Sequence, residues 1–287
     1  MMRIHHCLLL YCILTALVVS QAKGQPAGTA NFDPRPLNSD DVEQYLPQVC
    51  QGAQVAASGY SCQAMKGYPG GEATPSAGTV YNFVPTTIIY GHLTDAISTQ
   101  AYVSYTADFE PHADNYGGGI LFQLGSNGWQ FVRWVPGIIL DKCLQLEPSG
   151  KAQMLCWFGY SGMGEDDTSL SLVTVPTQTS PNNDYGASLR QVIAGQDLSQ
   201  TGDANQACGQ VKGQDQYVLT AIDDLARSTE PGVLATAKFE YVEPSAITKF
   251  CAKQDFADAP VNTATIRIIW LNGILEFKPS YNFAPPV

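Results

Sequence analysis

The pattern of apolar positions changes near residue 79 of the chain. Residues 25–78 are mostly small and polar with many prolines and glycines, and this composition is typical of an extended arm. From residue 79 onward, β-branched and aromatic residues occur in short runs separated by turn-forming residues, a pattern that favours β-strands. The sequence therefore predicts a mainly β domain over 79–287, preceded by a Pro/Gly-rich arm over 25–78.

One short helix is predicted within the arm. Ser39 matches an N-cap, and acidic residues follow it in the first turn, where they complement the helix dipole (Asp40, Asp41, Glu43). We expect a short helix from Asp40 to Tyr45 that is stopped or bent near Pro47, because proline lacks the N–H that continues a helix.

The β domain contains an internal repeat. Residues 88–134, 138–175 and 217–279 each begin with a strand that leads into a turn at a Leu/Asp or Asp/Leu pair and continue with a strand that closes on an aromatic residue. The outer segments end in hairpins around Asn-Gly, and the middle segment folds about Ser149-Gly150. The sequence predicts about three related antiparallel meanders, arranged in a propeller-like or sandwich-like fold.

Two hairpins allow the cross-strand register to be predicted. Counting outward from the turn at Ser149-Gly150 places Cys143 opposite Cys156 at a non-hydrogen-bonded pair, where α-carbons approach to roughly 4.5 Å. That separation suits a disulfide. Counting outward from Asn272-Gly273 pairs Trp270 with Leu275 and Ile268 with Phe277 on one face, which is predicted to be buried, so this hairpin is interpreted as structural.

The first repeat resembles the FG-GAP or VCBS-type repeats of exported bacterial proteins. The resemblance rests on HLTDAISTQAYVSY, in which the turn His92–Ala96 joins two strands, and on the matching turn Asp223–Arg227 in the third copy. The family places an acidic calcium-binding turn there, whereas these turns hold only one or two carboxylates. The resemblance implies a related β-meander that binds or displays rather than catalyses, and no calcium is expected to be needed for folding.

The cysteines and the N-terminus indicate export. Residues 1–24 carry Arg3, an apolar run too short to span a bilayer, and small residues before residue 25, which is the pattern of a secretory signal peptide. Its removal takes away Cys7 and Cys12 and leaves an even set of six cysteines, as in disulfide-stabilised exported proteins. Among the 15 connectivities that six cysteines allow, proximity in the sequence favours the pairs Cys143–Cys156 and Cys50–Cys62, which leaves Cys208–Cys251 as the remaining pair.

Charge and the remaining residue types restrict the partners. The chain has a net charge of −11, or about −13 without the signal segment, which argues against nucleic acid and anionic membranes. The six cysteines form no CxxC pair and only His92 and His112 remain, so neither zinc nor haem is predicted, and no cofactor is expected. The partner is an unidentified protein or carbohydrate, and we expect a secreted or periplasmic location without stable membrane insertion.

A few side chains are candidates for a site. The loop that holds Glu165, Asp166 and Asp167 between glycines is the best candidate for a metal ion, although it lacks EF-hand spacing. Binding candidates are a histidine and an acid beside three glycines and two tryptophans in strand-like runs (His112, Asp114, Trp129, Trp157). No GxSxG elbow accompanies the two histidines, and no catalytic residue is assigned.

These patterns predict an exported, disulfide-stabilised β protein that acts as a non-catalytic binding or interaction module. The first alternative is a secreted hydrolase, for instance one acting on carbohydrate through acidic loop residues. The second is an inhibitor or a stress-related envelope factor. A binding module requires aromatic or acidic side chains gathered on an open surface, whereas a glycoside hydrolase requires two carboxylates about 5 to 10 Å apart in a cleft.

Overall fold

The computed structural model describes residues 33–57, 59–68, 81–109, 117–146, 151–162, 165–178, 189–196, 205, 208–209, 216–253, 260–271 and 274–283. Within them the chain is mainly β and antiparallel, as the sequence predicts. The proposed signal peptide over 1–24 lies outside the described residues. None of the described helices is both long and apolar enough to cross a bilayer.

Sheet 1 has seven strands and holds the first predicted meander. The meander consists of β6 (Tyr81–Gly91), β7 (Gln100–Ala107), β8 (Gly117–Gly125) and β9 (Gly128–Pro136), each paired with the next. The arm adds three short strands to this sheet: β1 (Arg35–Pro36) and β4 (Gly59–Cys62) pair with β6, and β3 (Gln54–Ala56) pairs with β4. Two more short strands, β2 (Cys50–Gln51) and β5 (Ala64–Met65), pair with each other.

Sheets 2 and 3 are four-stranded meanders that follow in chain order. Sheet 2 consists of β10 (Cys143–Gln145), β11 (Met154–Gly162), β12 (Glu165–Val173) and β13 (Leu189–Gln196). Sheet 3 consists of β14 (Val218–Arg227), β15 (Ala235–Val242), β16 (Asn262–Leu271) and β17 (Ile274–Lys278), with a helix Pro244–Lys253, here α2, between β15 and β16. The three predicted segments thus fall on three sheets. That they are copies of one unit stays a prediction.

The sheets stack face to face in layers, which corresponds to the sandwich-like alternative. One face of sheet 1 packs against the N-terminal helix Ser39–Val49, here α1, and the other packs against sheet 2 through residues such as Tyr102 and Met154. The second face of sheet 2 packs against sheet 3 through residues such as Leu170 and Phe239. Because side chains alternate across a strand, sheets 1 and 2 can each supply an apolar face to the layer on either side of them.

Helix α1 differs from the predicted helix at both ends. Its N-cap is Asn38, whose side chain accepts a hydrogen bond from the Asp41 amide, while the Asp41 carboxylate accepts one from the Asn38 amide. This reciprocal pair of hydrogen bonds places the N-cap at Asn38, one residue before the predicted cap Ser39. The predicted end at Tyr45 is wrong, because the helix continues through Pro47 to Val49 and the Cys50 amide donates a hydrogen bond to the Leu46 carbonyl.

Helix α1 also covers the outer edge of sheet 1. The side-chain amide of Gln48 donates to the Trp129 carbonyl at 3.2 Å, and its oxygen accepts from the Phe131 amide at 2.9 Å. These are backbone groups on the side of β9 that faces away from β8, so Gln48 satisfies the two groups that a neighbouring strand would use. Exposed strand edges promote edge-to-edge association, and covering them is a common protection.

Two predicted turns are corrected by the structure. Asp223–Arg227 is part of strand β14 and pairs with β15, so it is not a turn matching His92–Ala96. Register shifts in this strand leave Thr220 and Asp223 without a partner residue in β15, as in β-bulges. In the β8–β9 hairpin, the strands close at the pair Gly125–Gly128, which places Ser126 and Asn127 in the turn and Gly128 beyond it at φ 94°.

The predicted disulfides and registers agree with the structure. Bonds join Cys50 to Cys62, Cys143 to Cys156, and Cys208 to Cys251. Cys143 lies directly opposite Cys156 with α-carbons 4.0 Å apart. The flanking bonds, from the Trp157 amide to the Lys142 carbonyl and from the Leu146 amide to the Gln153 carbonyl, place the cysteines at a non-hydrogen-bonded pair. The pairs Trp270–Leu275 and Ile268–Phe277 are present as well.

Candidate functional site

Four aromatic residues gather where the inner face of sheet 3 reaches the surface. We call this group the tyrosine patch: Tyr217, Tyr241, Tyr281 and Phe283. Tyr241 lies on the same face of β15 as the buried residues Ala237 and Phe239, but nearer the end of the strand. The segment after β17 returns beside Tyr217, whose amide donates to the Asn282 carbonyl at 3.0 Å, and a parallel bridge pairs Tyr217 with Phe283.

The rings of the tyrosine patch hold one another in place. Tyr217 meets Tyr241 and Tyr281 edge to face, with ring centroids 5.6 and 5.3 Å apart, and Tyr241 and Tyr281 are 5.4 Å apart. Phe283 stacks on Tyr281 at 5.5 Å and contacts the buried Phe239 at 5.9 Å. Edge-to-face and offset contacts of this kind are favourable beyond simple area burial. The patch is thus anchored to the core between sheets 2 and 3.

All four rings are half-buried, so each keeps a solvent-facing part. The centroid separations leave no space for a group between the rings, which excludes an aromatic cage around a cation and places any ligand on the outer surface. Partial burial, together with the neighbouring Tyr281 and Glu243, raises the pKa of Tyr241. Its hydroxyl therefore stays protonated at neutral pH and is able to donate a hydrogen bond.

Several described carboxylates are committed to structural contacts. Asp41 is buried and binds both terminal nitrogens of Arg35, at 2.6 and 3.0 Å. Asp33 accepts from Nε of Arg227 at 2.6 Å and from the Gln145 amide at 3.0 Å. Such contacts stabilise the ionised carboxylate, whereas a catalytic acid needs a neutral or poised one.

Other acidic residues are engaged in the same way. Asp141 accepts hydrogen bonds from the hydroxyl groups of Thr86 and Thr87 at 2.8 and 2.6 Å. Asp95 accepts hydrogen bonds from the backbone amides of Ile97 and Ser98. Three further acids form ion pairs with basic side chains (Asp223 with Lys238, Glu230 with Arg267, Glu276 with Lys278). Within the described part of the chain, no cluster of three or more histidine, cysteine, aspartate or glutamate residues has a geometry that would hold a metal ion.

Most of the predicted site residues lie wholly or partly outside the described part of the chain. His112 and Asp114 lie outside the described residues. The prediction that Glu165, Asp166 and Asp167 lie in a loop is wrong, because these residues begin strand β12 and their backbones pair with Gly162 to Tyr160 of β11. Their side chains lie outside the described part. The metal and binding roles of these residues therefore stay predictions.

The two candidate tryptophans are engaged by neighbours. The Trp129 ring packs on Tyr45 at 5.8 Å and on Tyr90 at 5.6 Å, under helix α1. The ammonium of Lys142 lies 3.3 Å from the centroid of the Trp157 ring and covers one face of it, and the ring packs against the core between sheets 2 and 3. Neither ring belongs to the tyrosine patch.

Sequence reasoning missed the tyrosine patch because its members are far apart in the chain. Tyr217 precedes β14, Tyr241 lies in β15, and Tyr281 follows β17, so no local spacing links them. The one available signal is that Tyr241 continues the alternating inner face of its strand, which marks it as a residue at the border of the core.

Comparisons with known proteins add no family to this description. No protein-family model, no curated protein and no solved structure matches the chain.

Proposed function

We propose that the protein is an exported, disulfide-stabilised, non-catalytic binding module that holds a neutral carbohydrate on the tyrosine patch. The observation that carries the proposal is the patch itself: three tyrosines and Phe283, half-exposed and fixed by mutual ring contacts. Rings that are already ordered lose little conformational entropy on binding, which favours affinity. The exposed ring surfaces suit the C–H faces of sugar rings, and the tyrosine hydroxyls suit their hydroxyl groups.

The charge of the chain supports a neutral ligand. A net charge of −11 repels polyanions, so acidic polysaccharides and nucleic acids are disfavoured. The export part of the proposal is supported by three disulfide bonds, which persist in oxidising compartments. The non-catalytic part is supported by the carboxylates Asp33, Asp41 and Asp141, which are engaged in structural contacts instead of forming an acid–base pair.

Native gels that contain a soluble neutral β-glucan test the proposal. We expect the glucan to retard the wild-type protein. Tyr281→Ala should abolish the retardation, because Tyr281 contacts three other members of the patch. Tyr281→Phe is the matched control, since it keeps the ring and should keep most of the retardation. Incubation of the glucan with wild-type protein should release no new reducing ends.

Two outcomes contradict the proposal. If Tyr281→Ala, with an unchanged circular dichroism spectrum, is retarded as strongly as the wild type, the patch is not the binding surface. If new reducing ends accumulate in proportion to protein concentration and time, the protein is a hydrolase.

A further inference from the structure

The three disulfide bonds differ in how deeply they are buried. Four of the six bonded cysteines have no more than 5% of their surface exposed (Cys50, Cys62, Cys143, Cys156). Cys208 and Cys251, by contrast, are both only partly buried. The neighbouring Gly209 is exposed, and a Cβ atom added to it would meet no atom of the described residues within 4 Å. The Cys208–Cys251 bond is therefore the most accessible of the three to a thiol in solution, and exposed disulfides are the more easily reduced ones.

Helix α2, which carries Cys251, is fixed by few buried side chains. Of its ten residues only Ile247 is buried, whereas four of the eleven residues of α1 are buried. Ile247 packs in a small apolar cluster with Val218 and Val242, and Cys251 lies against the same cluster. Helices of this length are marginal in water without packing. The disulfide bond is therefore an important part of what keeps α2 in place.

The cluster beneath α2 adjoins the tyrosine patch through the backbone of β14 and β15. Val218 and Val242 lie opposite each other on the two strands, and Tyr217 and Tyr241 are the residues just before them. Because successive side chains of a strand point to opposite faces, Val242 packs against α2 while the ring of Tyr241 belongs to the patch. Loss of the packing beneath α2 would loosen the strand ends that position the two tyrosines.

We propose that the Cys208–Cys251 bond is a redox switch: its reduction by a dithiol releases helix α2 and weakens the tyrosine patch, while the two buried disulfides stay intact. A thiolate of the dithiol attacks one sulfur, which forms a mixed disulfide and displaces the other cysteine as a thiolate. The second thiol of the dithiol then displaces the first cysteine. The protein gains two electrons and two protons, and the dithiol becomes a disulfide. The release of α2 stands on its own, whereas an effect on carbohydrate binding rests on the function proposed above.

Partial reduction with dithiothreitol, without denaturant, tests which bond opens. Free thiols are alkylated after increasing times and located by peptide mapping. We expect Cys208 and Cys251 to be alkylated about ten-fold faster than the four buried cysteines, because a dithiol reaches the buried bonds only when the surrounding core opens. Alkylation of Cys143 and Cys156 at the same rate as Cys208 and Cys251 would overturn the proposal.

Amide hydrogen exchange measures what the reduction does to the fold. The amides of Ala246 and Ile247 donate to the Glu243 carbonyl at the start of α2, and the Tyr217 amide donates to the Asn282 carbonyl at the patch. After selective reduction we expect exchange at these three amides to be about ten-fold faster, since α2 opens more often, and exchange in β7 of sheet 1 to be unchanged. Unchanged exchange at Ile247 or at Tyr217 contradicts the proposal, because the switch then fails to release the helix or fails to reach the patch.

The double variant Cys208→Ser, Cys251→Ser is the matched control. Without reductant it should show the amide exchange of the reduced wild type, and dithiothreitol should change it no further. A variant that exchanges like the oxidised wild type overturns the proposal.

The gel assay with the glucan links the switch to binding. The reduced wild type and the double variant should both be retarded less than the oxidised wild type, and equal retardation of all three overturns the proposal. If the oxidised wild type is not retarded at all, the carbohydrate proposal fails, and the alkylation and exchange measurements still decide whether the bond is a switch.

Discussion

Asp41 is the carboxylate that ties the N-terminal segment to sheet 1. It accepts hydrogen bonds from Arg35, from the Asn38 amide and from the Tyr90 hydroxyl, the last at 3.1 Å. Burial acts to raise its pKa, but the hydrogen bonds from Arg35 and Asn38 outweigh burial and hold the pKa below its usual range. One side chain thus connects β1, α1 and β6.

Replacing Asp41 with asparagine should lower the free energy of unfolding by about 2 kcal/mol at pH 7, because hydrogen bonds to a charged group are lost from a buried position. Denaturant titration measures the difference. The control is Asp40→Asn, which changes the same charge on an exposed residue of the same helical turn and should have little effect.

The pH dependence of this contribution follows from the direction of the shift. The folded-state pKa of Asp41 is lower than its unfolded value, so the stabilisation is complete above the unfolded pKa and disappears as the pH falls through the folded-state pKa. The difference between wild type and Asp41→Asn should therefore shrink under acidic conditions. A difference that stays constant down to pH 2 would show that the charge of Asp41 is not its source.

At the scale of elements, the β10–β11 hairpin depends on its disulfide. The bond between Cys143 and Cys156 joins strands β10 and β11 inside the core shared by sheets 1 and 2, and it closes a short loop of the chain. We expect the double variant Cys143→Ala, Cys156→Ala to lose about 3 kcal/mol of stability in the chain-entropy model. Guanidinium unfolding under non-reducing conditions measures the loss, and a loss smaller than about 1 kcal/mol would contradict the model.

Local patterns predicted the hairpins because a short turn fixes the register of its two strands. The pairs Cys143–Cys156 and Trp270–Leu275 follow from counting outward from two turn residues. The predicted turn at Asp223–Arg227 failed for the opposite reason. Whether adjacent acidic residues end a strand or continue it depends on the neighbouring strand, and here Lys238 of β15 pairs with Asp223 and favours continuation.

At the scale of the whole molecule, the sequence predicted a β protein of three meanders but left the propeller-like and sandwich-like alternatives open. The sandwich arises because sheet 2 is apolar on both faces, with Met154 on one side and Leu155 on the other, and so needs a layer on each side. The tyrosine patch and the N-terminal strands beside β6 were not predicted, because they depend on contacts between distant segments such as Tyr217 with Tyr281.

Folding should not depend on calcium. Asp95, the acid in the turn that resembles a calcium-binding repeat, already accepts the amides of Ile97 and Ser98. Scanning calorimetry in the presence of a chelator should give the same melting temperature as in millimolar calcium. A large decrease of the melting temperature in the presence of the chelator would contradict this expectation, and Glu165, Asp166 and Asp167 would then be the first candidates for a calcium site.

The contacts of Gln48 with β9 make a prediction about association. Gln48→Ala should uncover the Trp129 carbonyl and the Phe131 amide, and light scattering should then show concentration-dependent self-association. Gln44→Ala is the control, because Gln44 is an exposed residue of the same helix and uses only its backbone carbonyl in this contact. Equal scattering from the two variants would show that Gln48 does not protect the edge.

The protection that Gln48 provides is conditional, since it lasts only while α1 stays on sheet 1. A local opening that releases the helix exposes the edge of β9 and the apolar residues beneath α1, such as Phe122, in the same event. We therefore expect resistance to aggregation to depend on the free energy of that local opening more than on the free energy of global unfolding. Conditions that release helix α1 from sheet 1 should cause aggregation at temperatures well below the temperature at which the sheets unfold.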